Sequence, residues 1–202
     1  MQSNSLVNFR DIIADTAQEM NNGLNVHDSL KQLSVPELRA ICDAERFPFH
    51  VVLLSLTGDL NIGNMVRTAC LSGAQKVWVF GRRRFDLRGT VGSQNYIDIE
   101  KVFGFEDNGN TTSLEFDPEK FYETLYDNKL VPVFVEHGGE MLGKFEWSDW
   151  VNNVIADGWS PALIMGNETN GIPQKIIDTA QRFPYAKIVT LPQKGVIRSY
   201  NV

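Results

Sequence analysis

The chain has 202 residues, of which 43% are hydrophobic and 22% charged, and its formal net charge is −6. That is the make-up of a globular protein with a full core, with no apolar run near the ~20 residues that span a bilayer. Its acidity excludes a protein that coats nucleic acid at large and leaves room only for a local basic patch.

The chain opens with Asn4, Asn8, Arg10 and Asp11, which does not read as a secretory leader. A cytoplasmic protein is expected. Cys42 and Cys70 have no CxxC or His-rich companion, so neither a disulfide framework nor a metal site is expected. Leu6, Phe9, Ile12, Ile13, Ala17 and Met20 approximate a helical stripe that ends at Asn21-Asn22-Gly23. Ser34-Val35-Pro36-Glu37 has capping-box form with proline in the first turn, opening a helix through residue 45. Residues 1–48 therefore read as a helical extension, either a cap on the main domain or a dedicated RNA-binding element.

From His50 the pattern alternates. Strands are expected at 49–56, 76–80, 96–102, 131–135, 163–165 and 188–191, and helices at 61–72, 121–126 and 172–180. Such alternation implies βαβ units and a mostly parallel sheet in an α/β domain spanning 49–202. Residues 106–116 and 138–160, rich in Gly, Asn and Asp, read as surface excursions.

Four stretches carry candidate chemistry. After the first strand, Asn61 can cap a helix, with Arg67 six residues on among apolar Met65, Val66, Ala69 and Leu71. A guanidinium on a buried helix face needs a partner, and Glu168 is a candidate; a structural ion pair and a functional arginine are both open. After the second strand, Arg82-Arg83-Arg84-Phe85 and Arg88 suit phosphate contact and base stacking, or form a solvated loop. Gly89, Gly92 and Ser93 read as a hinge into the third strand. The apolar run Ala162-Leu163-Ile164-Met165 gives way to Gly166-Asn167-Glu168-Thr169-Asn170-Gly171. That is either an ordinary β-to-α connection or a turn whose glycines admit a flat ligand at the carboxyl end of a strand. The chain closes on Leu191-Pro192-Gln193-Lys194-Gly195 and then Ser199-Tyr200-Asn201-Val202, where an N-cap is followed by no helix.

In this order and spacing, the stretches resemble the knotted SPOUT class of methyltransferases, specifically the TrmH-type tRNA/rRNA ribose 2′-O-methyltransferases. Asn61 with Arg67-Thr68 resembles the first motif of that family. Leu163 through Ile172 resembles the second, and Leu191 through Val202 the third. The resemblance covers roughly residues 50–202. It implies a parallel sheet with helices on both faces and a C-terminal trefoil knot, which periodicity does not suggest. The family continues past its third motif into a helix that completes the knot and builds a homodimer; this chain stops at Val202, so a C-terminally incomplete domain is expected.

The resemblance further implies S-adenosylmethionine as cofactor and RNA, most plausibly tRNA, as substrate. Carried over, the cofactor positions are Glu136, Gly166, Leu191, Gly195 and Tyr200. Glu136 stands where a small hydroxyl residue is expected. Arg67 is then the catalytic arginine, Asn61 and Glu168 position it, and Ser199 and Asn201 line the transfer site. RNA contacts fall to Arg82, Arg83, Arg84 and Arg88. The reading requires the three loops to meet at one sheet edge, with Arg67 near the turns at Gly166 and Leu191 and the closing strand well inside the sheet. The competing reading is a non-catalytic RNA-binding homologue with an incomplete cofactor pocket. A Rossmann-type nucleotide enzyme is disfavoured because no GxGxxG follows the first strand.

Overall fold

The computed structural model describes residues 26–54, 59–81, 85–102, 117–167 and 170–192. Six strands form one parallel sheet: β1 (His50–Leu54), β2 (Lys76–Phe80), β3 (Asp98–Val102), β4 (Leu130–Met141), β5 (Ser160–Met165) and β6 (Lys187–Thr190). Their order across the sheet is β3-β2-β1-β5-β4-β6. β1 is buried along its whole length, as an unbroken His-Val-Val-Leu-Leu run in a sheet covered on both faces should be.

Helix α1 spans Val35–Ala44, α2 Asp59–Leu71, α3 Pro118–Asp127, α4 Trp147–Ala156 and α5 Gln174–Ile177. The α1 start follows the predicted capping box: the Glu37 carboxylate accepts the Ser34 N–H at 2.8 Å and its hydroxyl at 2.7 Å. α3 starts with Asp117 accepting the N–H groups of Glu119 and Lys120 and with Pro118 in the first turn, where its missing donor costs nothing.

Alternation along the strands splits the core. Val52, Leu54, Trp78, Phe80, Phe134 and Ile164 face α3 and α5 through Phe121, Leu125 and Ile176. Val51, Leu53, Val77, Val79 and Ile99 face Ile62, Met65, Val66 and Ala69 of α2. Val131, Val133 and Val189 pack with Trp150 and Val154 of α4. Strand register puts Val51, Leu163 and Val133 side by side, so α2 and α4 cover one face and α3 and α5 the other.

Several expectations are corrected. Residues 138–160 are no excursion: β4 runs on to Met141 and α4 follows, because Trp147, Trp150, Val151 and Val154 make a helical stripe beneath the polar Asp149, Asn152 and Asn153. α2 begins at Asp59, two residues ahead of Asn61, so Asn61 is not its cap. The expected hinge at Gly89–Ser93 is a packed pair of 3-10 turns, Leu87–Thr90 and Ser93–Asn95, with Gly89, Thr90 and Ser93 buried. A Cβ on Gly63 of α2 would stand 2.8 Å from the Gly89 Cα, which is why Gly63 is glycine. The helix expected at 172–180 is one α turn continued as a 3-10 stretch, Asp178–Arg182. β6 is an edge strand rather than an inner one.

α1 docks on the amino edge of the sheet. Arg39 pairs with Asp98 at 2.9 Å, and Arg46 donates to the Ala74 carbonyl at 2.6 Å and to the Tyr96 carbonyl. The helix expected in the first twenty residues, the excursion expected at 106–116 and residues 193–202, on which the expected knot depends, lie outside the described residues. Among those described, no helix is long and apolar enough to cross a membrane.

Candidate functional site at the carboxyl edge of the sheet

The chain winds outward from β1 to β3, crosses to β4, and returns to lay β5 beside β1. The reversal between β1 and β5 is where an open α/β sheet leaves a crevice at its carboxyl edge. Beside that reversal the ends of β5, β4 and β6 are linked to one another.

At the end of β5, Gly166 leads into a turn closed by two backbone hydrogen bonds. The Asn167 N–H donates to the Gly171 carbonyl at 3.0 Å and the Gly171 N–H to the Asn167 carbonyl at 2.7 Å. Gly171 is left-handed, with φ +66°. A Cβ on Gly166 would stand 2.5 Å from the Gly171 carbonyl carbon. The glycine is therefore required by the approach of the chain to itself, not only by a ligand.

At the end of β4 the ladder with β6 breaks. Val135 pairs with Val189, and pairing resumes only at Glu140. The residues between form a bulge that turns the Glu136 side chain toward the β5 turn. Its Oε2 accepts the Ile172 N–H at 2.8 Å and its Oε1 accepts the His137 N–H at 2.9 Å. Gly139 lies against β6 so closely that a Cβ would stand 2.5 Å from the Ile188 carbonyl oxygen. At the end of β6, the Thr190 hydroxyl donates to the Glu136 carbonyl and accepts the Gly139 N–H at 3.1 Å. Leu191, half-buried, follows it.

Glu136, Gly166 and Leu191 thus share one edge. Arg67 lies on α2, which follows β1. It is exposed, and no described hydrogen bond or ion pair holds it. Met65, Val66 and Ala69 are its neighbours in sequence but turn toward the sheet; the face of α2 that Arg67 shares carries Asn64, Thr68 and Leu71, all exposed, as residues three and four apart must. Arg88 is also exposed, and its guanidinium pairs with Asp86 of the same turn at 2.5 Å. The hydrogen bond and charge of Arg88 hold the Asp86 carboxyl below its ordinary range, and Asp86 raises Arg88 in turn. Arg88 is therefore half of a neutral pair. Asn61 is half-buried near the start of α2. Glu168, Arg82, Arg83, Arg84, Gly195, Ser199, Tyr200 and Asn201 lie outside the described residues.

Sequence reasoning passed over Thr190 and the Ile172 N–H. The signal available was the Gly138-Gly139 pair just past the Val-Phe-Val-Glu run, the mark of a strand that must bulge. Among the described residues no group of His, Cys, Asp and Glu could hold a metal ion, and burial pushes the Cys70 thiol up, away from a nucleophilic thiolate.

A profile of the SpoU rRNA Methylase family matches residues 48–202. No curated protein sequence matches the chain. Among solved structures, it resembles the TrmH/SpoU tRNA modifying enzyme of A. aeolicus at 18% identity and TM-score 0.57, covering 83% of this chain and 74% of that one. It resembles the SpoU methyltransferase AviRb from Streptomyces viridochromogenes, solved in complex with the cofactor AdoMet, at 20% identity and TM-score 0.55, covering 77% and 52%. It also resembles the AdoMet-bound rRNA methyltransferase from Sinorhizobium meliloti at 22% identity and TM-score 0.52, covering 81% and 54%. The chain spans just over half the length of these last two. At such identities the likeness is one of fold: a parallel α/β sheet with helices on both faces.

Proposed function

The chain belongs to the SpoU rRNA Methylase family, and on that premise we propose that it is an S-adenosylmethionine-dependent RNA methyltransferase acting on a ribose 2′-hydroxyl, with tRNA as substrate. The observation that carries this reading is the family match itself, which takes in every loop of the carboxyl edge. The geometry supports it. Met165, Gly166 and Leu191 are half-buried beside fully buried strand residues, so the edge offers backbone groups and alkyl surface of the kind that holds an adenosine.

We assign the donor to Gly166 and Leu191, with Gly195 and Tyr200 beside them. Bound there, S-adenosylmethionine supplies an electrophilic methyl group. Methyl transfer to a hydroxyl rewards alignment more than acid–base strength. Arg67, whose guanidinium offers donors and no acceptor, can donate hydrogen bonds to the hydroxyl and its neighbouring phosphate but cannot take the proton; a substrate phosphate oxygen is the acceptor. Asn61 and Glu168 hold the arginine, and Ser199 and Asn201 line the transfer site. Arg82, Arg83 and Arg84 contact the RNA backbone.

The proposed assembly is a homodimer. The test is methyl incorporation from labelled S-adenosylmethionine into tRNA, with calorimetry for donor binding. Neither incorporation nor binding would favour a non-catalytic RNA-binding homologue.

A further inference from the structure

Glu136 is the one predicted cofactor residue whose side chain is already committed within the described structure. Both carboxylate oxygens accept backbone N–H groups, one from His137 and one from Ile172 on the neighbouring turn. Its side chain also lies against Gly171, where a Cβ would collide with it. The carbonyl of the same residue accepts the Thr190 hydroxyl, which takes the Gly139 N–H in its turn. Two residues therefore join the ends of β4, β5 and β6. Ile172 is 5% exposed, so its N–H has no solvent to fall back on, and an ionised acceptor makes the stronger bond to it.

We propose that Glu136 is a positioning residue, with Thr190 its partner. The carboxylate does not bind the methyl donor. It fixes the two described ends of the turn, Gly166–Asn167 and Gly171–Ile172, against β4 and β6, so that their backbone is aligned before the donor arrives. The proposal rests on the donor site assigned above. Preorganisation of this kind acts on affinity and leaves the chemical step alone.

The test uses the full chain as wild type, Glu136→Ala, Glu136→Gln, Thr190→Val and the Glu136→Ala/Thr190→Val double variant. Donor affinity is read by calorimetry, donor KM and kcat by methyl incorporation, and the Ile172 amide by hydrogen exchange. Glu136→Ala and Thr190→Val should each weaken S-adenosylmethionine binding about tenfold. The double variant should be no worse than Glu136→Ala, because the two side chains act as one unit. Glu136→Gln, whose amide oxygen still accepts the Ile172 N–H, should recover most of the loss. The defect should sit in the donor KM, with tRNA KM unmoved, and Ile172 exchange should quicken in Glu136→Ala.

Wild-type affinity in Glu136→Ala would overturn the proposal. So would a loss in Glu136→Gln as deep as in Glu136→Ala with Ile172 exchange unchanged, since that marks a direct ligand. Should Glu136→Ala fail to fold, Glu136→Gln and Thr190→Val carry the same comparison. A wild type that binds no S-adenosylmethionine sinks the functional reading, while Ile172 exchange still decides the positioning role.

Discussion

In the reaction proposed above Arg67 acts through its shape and charge, and its exposure leaves the guanidinium open to a substrate. A lysine keeps the charge but loses the planar fork that could hold a hydroxyl and a phosphate together. Arg67→Lys should lower methyl transfer at least a hundredfold, about 3 kcal/mol of transition-state stabilisation. Because the donor is assigned to Gly166 and Leu191 rather than to Arg67, its replacement should leave the donor Kd within about twofold; calorimetry beside single-turnover assays checks both. His50 makes a different residue-scale case. It is buried in β1, its Nδ1 accepts the Trp78 indole N–H at 3.1 Å, and burial, then the charge of Lys76, lowers its pKa from 6.5 to about 4. The folded state thus holds His50 neutral where the unfolded chain would protonate it. Its contribution is complete above pH ~6.5 and is lost as pH falls toward 4, up to about 3 kcal/mol. Urea midpoints at pH 7 and 4.5 should converge in His50→Gln relative to wild type; an equal pH dependence in both would contradict this.

Elements show which signals sequence carries. The β1 run and the capping box of α1 were legible because both are local: burial on two faces demands an unbroken apolar strand, and a cap needs only residues three apart. α4 was masked because Asp149, Asn152 and Asn153 made its composition look like a loop while Trp147, Trp150 and Val154 kept the helical period. Arg67 looked buried because its sequence neighbours are, although a helix turns adjacent residues to different faces. The glycines of the β5 turn suit both a sharp turn and a close-lying ligand, and the structure shows the first: Gly166 meets Gly171 of its own chain. Gly166→Ala should therefore force the turn open. It should destabilise the fold by about 1–3 kcal/mol, as overpacking does, and weaken donor binding more than any change in Arg67. At the opposite edge, Arg46→Ala should release α1 from Ala74 and Tyr96 and leave two carbonyls without their donor. Hydrogen exchange across α1 should rise while donor affinity stays put, since α1 lies at the amino edge.

For the whole molecule, the strand order β3-β2-β1-β5-β4-β6 could not be read in advance, because each pairing joins segments far apart in sequence. The meeting of Glu136, Ile172 and Thr190 follows from that order, so the site was legible as a set of motifs and illegible as a geometry. Charge also belongs to this scale. A net charge of −6 confines RNA contact to local cations, and Arg88 is already shared with Asp86. Replacing Arg82, Arg83 and Arg84 together with Ala should reduce the slope of log K against log salt by about 2 for single-stranded contacts, with donor affinity unchanged; an undiminished slope would place the RNA elsewhere.

On the reading proposed above, this chain moves a methyl group from S-adenosylmethionine to a ribose hydroxyl. Labelled transfer into tRNA followed by alkaline hydrolysis tests it most directly, because a 2′-O-methyl group blocks cleavage at its own phosphodiester. Label retained in alkali-resistant dinucleotides, and absent with Arg67→Lys, is the predicted result. Label released in mononucleotides, or no label at all from the wild-type chain, would contradict it.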